Sequence, residues 1–323
     1  YFNYMNFRWE LMPSSEIPYI GNHLSQYIFI SSSILGALLL KKFYPDLPMR
    51  IDLVGTPGEE FVGGKCYMTE NGAFDEYEYA AMIHLYNRDS TYFEILASND
   101  RYFTFHGKAA HASAFPEEGV NALNAARLYM EAMDMWRQHI TKDCQFHGIV
   151  VKGGEAPNIV PEEVCLDYYY RAATLENLWK LNKISENCAR GAALATGTEV
   201  EWQQRYPDYG EIYWNEYMDQ IMKDIFEHVG RTCEDSPGPG GSSDIGNVNL
   251  KIPVFHPLLD ITGKDKTCVV HDRRFERILH TTEMQKALYD GGKILYELGY
   301  LLATNEEKLK SIKEMHKKYR KLV

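Results

Sequence analysis

The stretch "DLVGTPGEEFVGGK", residues 52–65, sets Glu59 beside Glu60 in a glycine-rich turn. Adjacent carboxylates repel, so such a pair belongs either in a solvated loop or beside a cation. With a divalent metal present, one carboxylate can ligate while its neighbour acts as a general base. Two histidines have a matching local setting. His84 follows the apolar "AAMI", and His256 sits in "VFHP". Each reads as a residue at a strand end, where ligands gather in a parallel α/β sheet. Taken singly, either histidine is more simply structural. Together with Glu60 they form an oxygen-and-nitrogen set of the kind zinc takes.

Three further residues could touch a substrate. His111 lies in "HGKAAHASAFPEEGVNAL", Asn158 in "GGEAPNIVP", and Arg171 closes "DYYYR". Each also has an ordinary reading: a capping histidine, a turn asparagine, an arginine paired with an acid. The tyrosines of "DYYYR" raise the further expectation of an aromatic-lined pocket.

The elements that must position these residues alternate between strand and helix. "QYIFISSSILGALLLKKFYPD" predicts a helix and "MRIDLVGTP" a strand. "GKCYMTENGAF" predicts a helix stopping at Asn71-Gly72, and "YAAMIHLY" a second strand. This order predicts an α/β fold with a mainly parallel sheet flanked by helices. From about residue 92 the order becomes β-α-β-β-α-β, the split arrangement of a self-contained α+β unit. Its first helix carries an apolar stripe at Val120, Leu123, Ala126 and Met130. The predicted boundaries are 98–206 for this inserted unit, with 1–97 and 207–323 forming the α/β domain.

Composition excludes several classes. A net charge of −11 argues against nucleic acid and anionic membranes as partners. The one basic cluster, "KLKSIKEMHKKYRKLV", reads as a solvated helix end. The six cysteines include no CxxC pair, so neither a disulfide framework nor a zinc ribbon is expected, and a cytoplasmic setting is the default. The apolar run at 27–40 is too short to span a bilayer. "SPGPGGSSDIGNVN" lacks the spacing of a phosphate-binding loop.

"GTPGEE", "HGKAAHAS", "GVNAL", "GGEAPNIVP", "GSSDIGN" and "HDRRF" occur in an order that resembles the zinc-dependent aminoacylase/carboxypeptidase family of metallopeptidases. The likeness is greatest to its amidohydrolase branch and spans essentially the whole chain. It implies a catalytic α/β domain with an inserted lid that mediates homodimerisation. It implies Glu59 as the base acting on water at the metal, and Glu60, His84 and His256 as metal ligands. His111 would reach the partner subunit's site to steady an oxyanion. Asn158 and Arg171 would hold a substrate's carbonyl and carboxylate, and Gly241 and Ser242 would line the pocket. The implied substrate is a small amide, an N-acyl amino acid or dipeptide.

The chain departs from the family where a Cys and a His ligand are expected. The matching stretch is "GNHLSQY", with Leu24 and Gln26 at those positions. The family's leading segment is also unmatched, with "YFNYMNFRWELMP" in its place. The departure implies fewer than two metal ions per chain (zinc, manganese or cobalt) or none. The alternative function is a catalytically impaired homologue that binds a carboxylated small molecule or a protein partner.

Overall fold

The computed structural model describes residues 20–59, 62–263, 265–268, 274, 278 and 281–320. It is an α/β molecule with helices flanking its sheets. Helix α1 (Ile20–Phe43) packs along the long helix α7 (Thr282–Thr304). The two approach closely because Gly292 has no side chain: a Cβ there would lie 2.6 Å from Leu35 Cδ2. Helix α2 (Gly64–Glu70) ends at Asn71, and Gly72 turns the chain with φ 79°, as the Asn-Gly pair predicts.

Two short parallel pairs follow. Strand β1 (Ala80–Ala81) pairs with β7 (Val254–Phe255), and β2 (His84–Tyr86) with β8 (Leu258–Asp260). "YAAMIHLY" is therefore broken in two, and His84 opens β2 rather than closing a strand. The pairs pack on α5 (Glu216–His228) and α7 through Ile83, Leu85, Phe226, Phe255, Leu259 and Leu298, all fully buried. The segment "MRIDLVGTP" differs from expectation. Among the described residues no ladder includes it. Its alternating apolar residues find no sheet to join, and Leu53 and Val54 remain exposed.

The remaining sheet is antiparallel, in the order β4-β5-β3-β6. It comprises β3 (Ala97–His106), β4 (Gln145–Lys152), β5 (Glu163–Ala172) and β6 (Glu199–Gln203). Helices α3 (Ala122–Trp136) and α4 (Leu175–Thr196) cover it. Each starts at a side-chain cap: Asn121 accepts from the amides of Leu123 and Asn124, and Thr174 from that of Asn177. The buried face of α3 is rotated from the expected stripe. It carries Ala122, Ala125, Ala126, Tyr129 and Met133, with Leu123 and Met130 only partly buried. Tyr129 can turn inward because its hydroxyl bonds Ser185 at 2.8 Å and Tyr170 at 3.0 Å. Tyr168 and Tyr170 are buried in this same core, so they line no pocket.

The antiparallel unit joins the rest of the molecule through two adjacent chain segments. Ser98 and Tyr209 exchange backbone hydrogen bonds of 3.0 and 2.8 Å. Helices α6 (Ile245–Asn249) and α8 (Glu306–Arg320) complete the fold.

Candidate active site

The parallel register explains why two distant histidines meet. Ala80 faces Val254 and His84 faces Leu258, so the register is the same on both sides of the break. His256 lies two residues before Leu258, and side chains two apart share a face. The rings of His84 and His256 accordingly stand edge to face with centroids 5.4 Å apart. His84 Nδ1 is 2.9 Å from the carbonyl of Leu85, which assigns that nitrogen a proton. His256 is buried, and neither of its ring nitrogens has a hydrogen-bond partner among the described residues. Burial holds its imidazole well below the ordinary value, helped by His84 and the Lys65 ammonium, so the ring is neutral.

Glu59 and His84 line one cavity of about 1340 Å³, together with Tyr86, Phe93, Gly241 and Ser242. Glu59 sits in a turn closed by the amides of Val62 and Gly63 on the carbonyl of Gly58, at 3.1 and 2.9 Å. Gly63 is required there: its φ is 66°, and a Cβ would lie 2.7 Å from the Tyr209 ring. Ser243 Oγ donates to Glu59 Oε1 at 2.7 Å, and the Tyr209 hydroxyl donates to the Glu59 carbonyl at 3.3 Å. Burial, then the nearby charges of Asp244, Cys66 and Glu59, push the Tyr209 phenol far up, so it stays protonated.

The other candidates lie elsewhere. His111 and Asn158 are exposed neighbours on the antiparallel unit, where the amide of Ala112 donates to the Asn158 carbonyl at 3.0 Å. His111 Nδ1 lies 3.3 Å from the amide of Ala114, which places its proton on Nε2. Arg171 lies near the end of β5 opposite Ser98, and burial lowers its guanidinium below the usual range. None of these three lines the cavity of Glu59. Glu60 lies outside the described residues, and of Leu24 and Gln26 only the helical backbone in α1 is described.

Sequence reasoning missed Ser243, Asp244, Lys65 and Tyr209. The "GGK" that follows the glutamates and the "SSD" that follows Gly241 were the available signals. Their pairing across the chain was not legible.

For a metal, the available donors are the imidazoles of His84 and His256, with Glu59 on the same cavity as His84. Among the described residues no group of three or more His, Cys, Asp or Glu side chains could hold an ion. The orphaned nitrogens of His256 nevertheless fit one, because a buried imidazole with no partner costs free energy that a ligand recovers.

An antiparallel four-stranded unit stands beside a parallel layer that carries His84 and His256. Residues 101–195 match the M20 peptidase dimerisation domain. With the relatives that follow, this match makes the chain similar to the M20 peptidases and amidohydrolases. It is 34% identical to Xaa-Arg dipeptidase of Mus musculus, over 76% of this chain and 59% of that one. It is 37% identical to Xaa-Arg dipeptidase of Homo sapiens, over 67% and 51%. A p-aminobenzoyl-glutamate hydrolase chain of Escherichia coli is 28% identical, over 68% and 46%. The chain thus spans about half the length of these relatives. An aminobenzoyl-glutamate utilization protein from Klebsiella pneumoniae shares the fold, with a TM-score of 0.63 at 18% identity over 82% of this chain and 66% of that one. These names are those of dipeptidases and hydrolases, and nothing in them favours the alternative of a chain that only binds.

Proposed function

We propose that the protein is a metal-dependent amidohydrolase acting on a dipeptide-like substrate, with an Xaa-Arg dipeptide the first to test. The observation that carries this reading is the contact between His84 and His256, with His84 and Glu59 lining one cavity and both nitrogens of the buried His256 unpartnered among the described residues. His84 and His256, with Glu60, would hold a divalent ion such as zinc, manganese or cobalt. Bound there, it would supply Lewis acidity at the scissile carbonyl. Glu59 takes a proton from the attacking water and returns it to the leaving nitrogen. Arg171, a bidentate donor, suits the substrate carboxylate, and Asn158 its carbonyl. His111 carries its proton on Nε2 and can donate to an oxyanion from a neighbouring subunit.

The oligomer in this reading is a homodimer formed through the lid. Strand β4 supports it: it is the edge of the antiparallel sheet, and Ile149, Val150 and Val151 are all exposed. Among the described residues no helix is long and apolar enough to cross a membrane. A cytoplasmic setting is supported by Cys66, Cys144, Cys165, Cys188 and Cys233, all of them thiols.

The test is release of arginine from a panel of Xaa-Arg dipeptides with zinc, manganese or cobalt present. Metal-dependent release that Glu59→Gln abolishes is expected. Absence of hydrolysis with all three ions contradicts the reading.

A further inference from the structure

We propose that Ser243 is a positioning residue for the Glu59 carboxylate, and that the Lys65–Asp244 pair fixes the register this requires. The inference rests on Glu59 serving as the base described above.

Glu59 leaves a segment that no sheet holds. Residues 49–58 belong to no ladder among the described residues, so the direction of the Glu59 side chain is not imposed by strand geometry. It is imposed by tethers from a different part of the chain. Ser243, only 6% exposed, puts its hydroxyl 2.7 Å from Glu59 Oε1. The next residue, Asp244, accepts from the Lys65 amide at 2.9 Å and from Lys65 Nζ at 2.8 Å. Lys65 stands at the start of α2, just past the turn that carries Glu59. The Tyr209 hydroxyl takes the Glu59 carbonyl. The backbone of Glu59, its carboxylate and the helix after it are thus all anchored to residues 209 and 243–244.

A general base works only when its lone pair meets the proton it removes, so a small rotation of the carboxylate costs rate. Ser243 engages one oxygen of the carboxylate and thereby sets the direction of the other. A purely structural role would predict lost stability with an unchanged balance of turnover and binding.

The experiment compares Ser243→Ala and Ser243→Thr in the metal-loaded full-length protein. The alanine variant is expected to lose about tenfold to a hundredfold in kcat, with KM within about twofold. The threonine variant keeps the hydroxyl and is expected to retain most of kcat. An alanine variant as fast as the parent, or a threonine variant as slow as alanine, overturns the proposal. A second readout needs no turnover: the carbon-13 resonance of the Glu59 carboxyl, assigned by its loss in Glu59→Gln. Ser243→Ala is expected to displace it and Ser243→Thr to leave it in place. A resonance unmoved by alanine overturns the proposal. A displaced resonance in a protein that hydrolyses nothing upholds the positioning and removes the hydrolase reading instead.

Discussion

Lys65 and Asp244, 179 positions apart in the chain, form a doubly bonded ion pair that is buried on both sides. Backbone and side chain of one residue go to the two oxygens of the other. Removing one partner strands a buried charge. Lys65→Met or Asp244→Leu alone is expected to cost about 3–5 kcal/mol of unfolding free energy. The double replacement is expected to recover much of that loss, because no charge is then left alone. Denaturant unfolding of the four proteins measures this, and equal losses in the single and double variants would contradict it.

Acid is expected to loosen the junction between α8 and α6. His316 is buried, and its Nε2 donates to the Asn249 carbonyl at 2.5 Å. Burial lowers its imidazole, the Asn249 bond partly offsets this, and Arg320 lowers it further. The folded state therefore binds its proton less readily than the unfolded chain, whose value is about 6.5. Stability from this group is complete above that pH and is lost as pH falls below it. Thermal melts between pH 7 and pH 5 should show the decline, with a shallower slope in His316→Gln. Identical slopes would count against the assignment.

The β4 edge is expected to carry the subunit contact. Ile149 is 65% exposed and Val151 50%, on a strand whose outer backbone groups face no neighbouring strand among the described residues. Ile149→Arg should convert a dimer to a monomer in sedimentation velocity, with the melting temperature of the lid little changed. A dimer that survives Ile149→Arg and Val151→Arg together would move the interface elsewhere.

Local signals made much of this fold legible. The stop at Asn71-Gly72 follows from residues near in sequence, and the strand and helix order of the antiparallel unit from local alternation and periodicity. Turn glycines and apolar runs singled out the glutamate and histidine candidates, and the parallel register then brought His84 and His256 together. Strand status for "MRIDLVGTP" was not legible, since a ladder depends on the neighbouring strand as much as on alternation. The rotated face of α3 escaped for a related reason. Tyr129 could be counted as buried only once Tyr170 and Ser185 were known to meet its hydroxyl. Ser243 and Lys65 escaped because their partners lie some 180 residues away.

That His84 and His256 hold a metal where Glu59 can act is tested most directly by titration calorimetry. The metal-stripped protein is titrated with zinc as the parent chain, as His84→Ala/His256→Ala, and as Glu59→Gln. A saturable site is expected in the parent, with its loss in the double histidine variant and its retention in Glu59→Gln, which keeps the ligands but not the base. Equal zinc affinity in the parent and in the double histidine variant would contradict it.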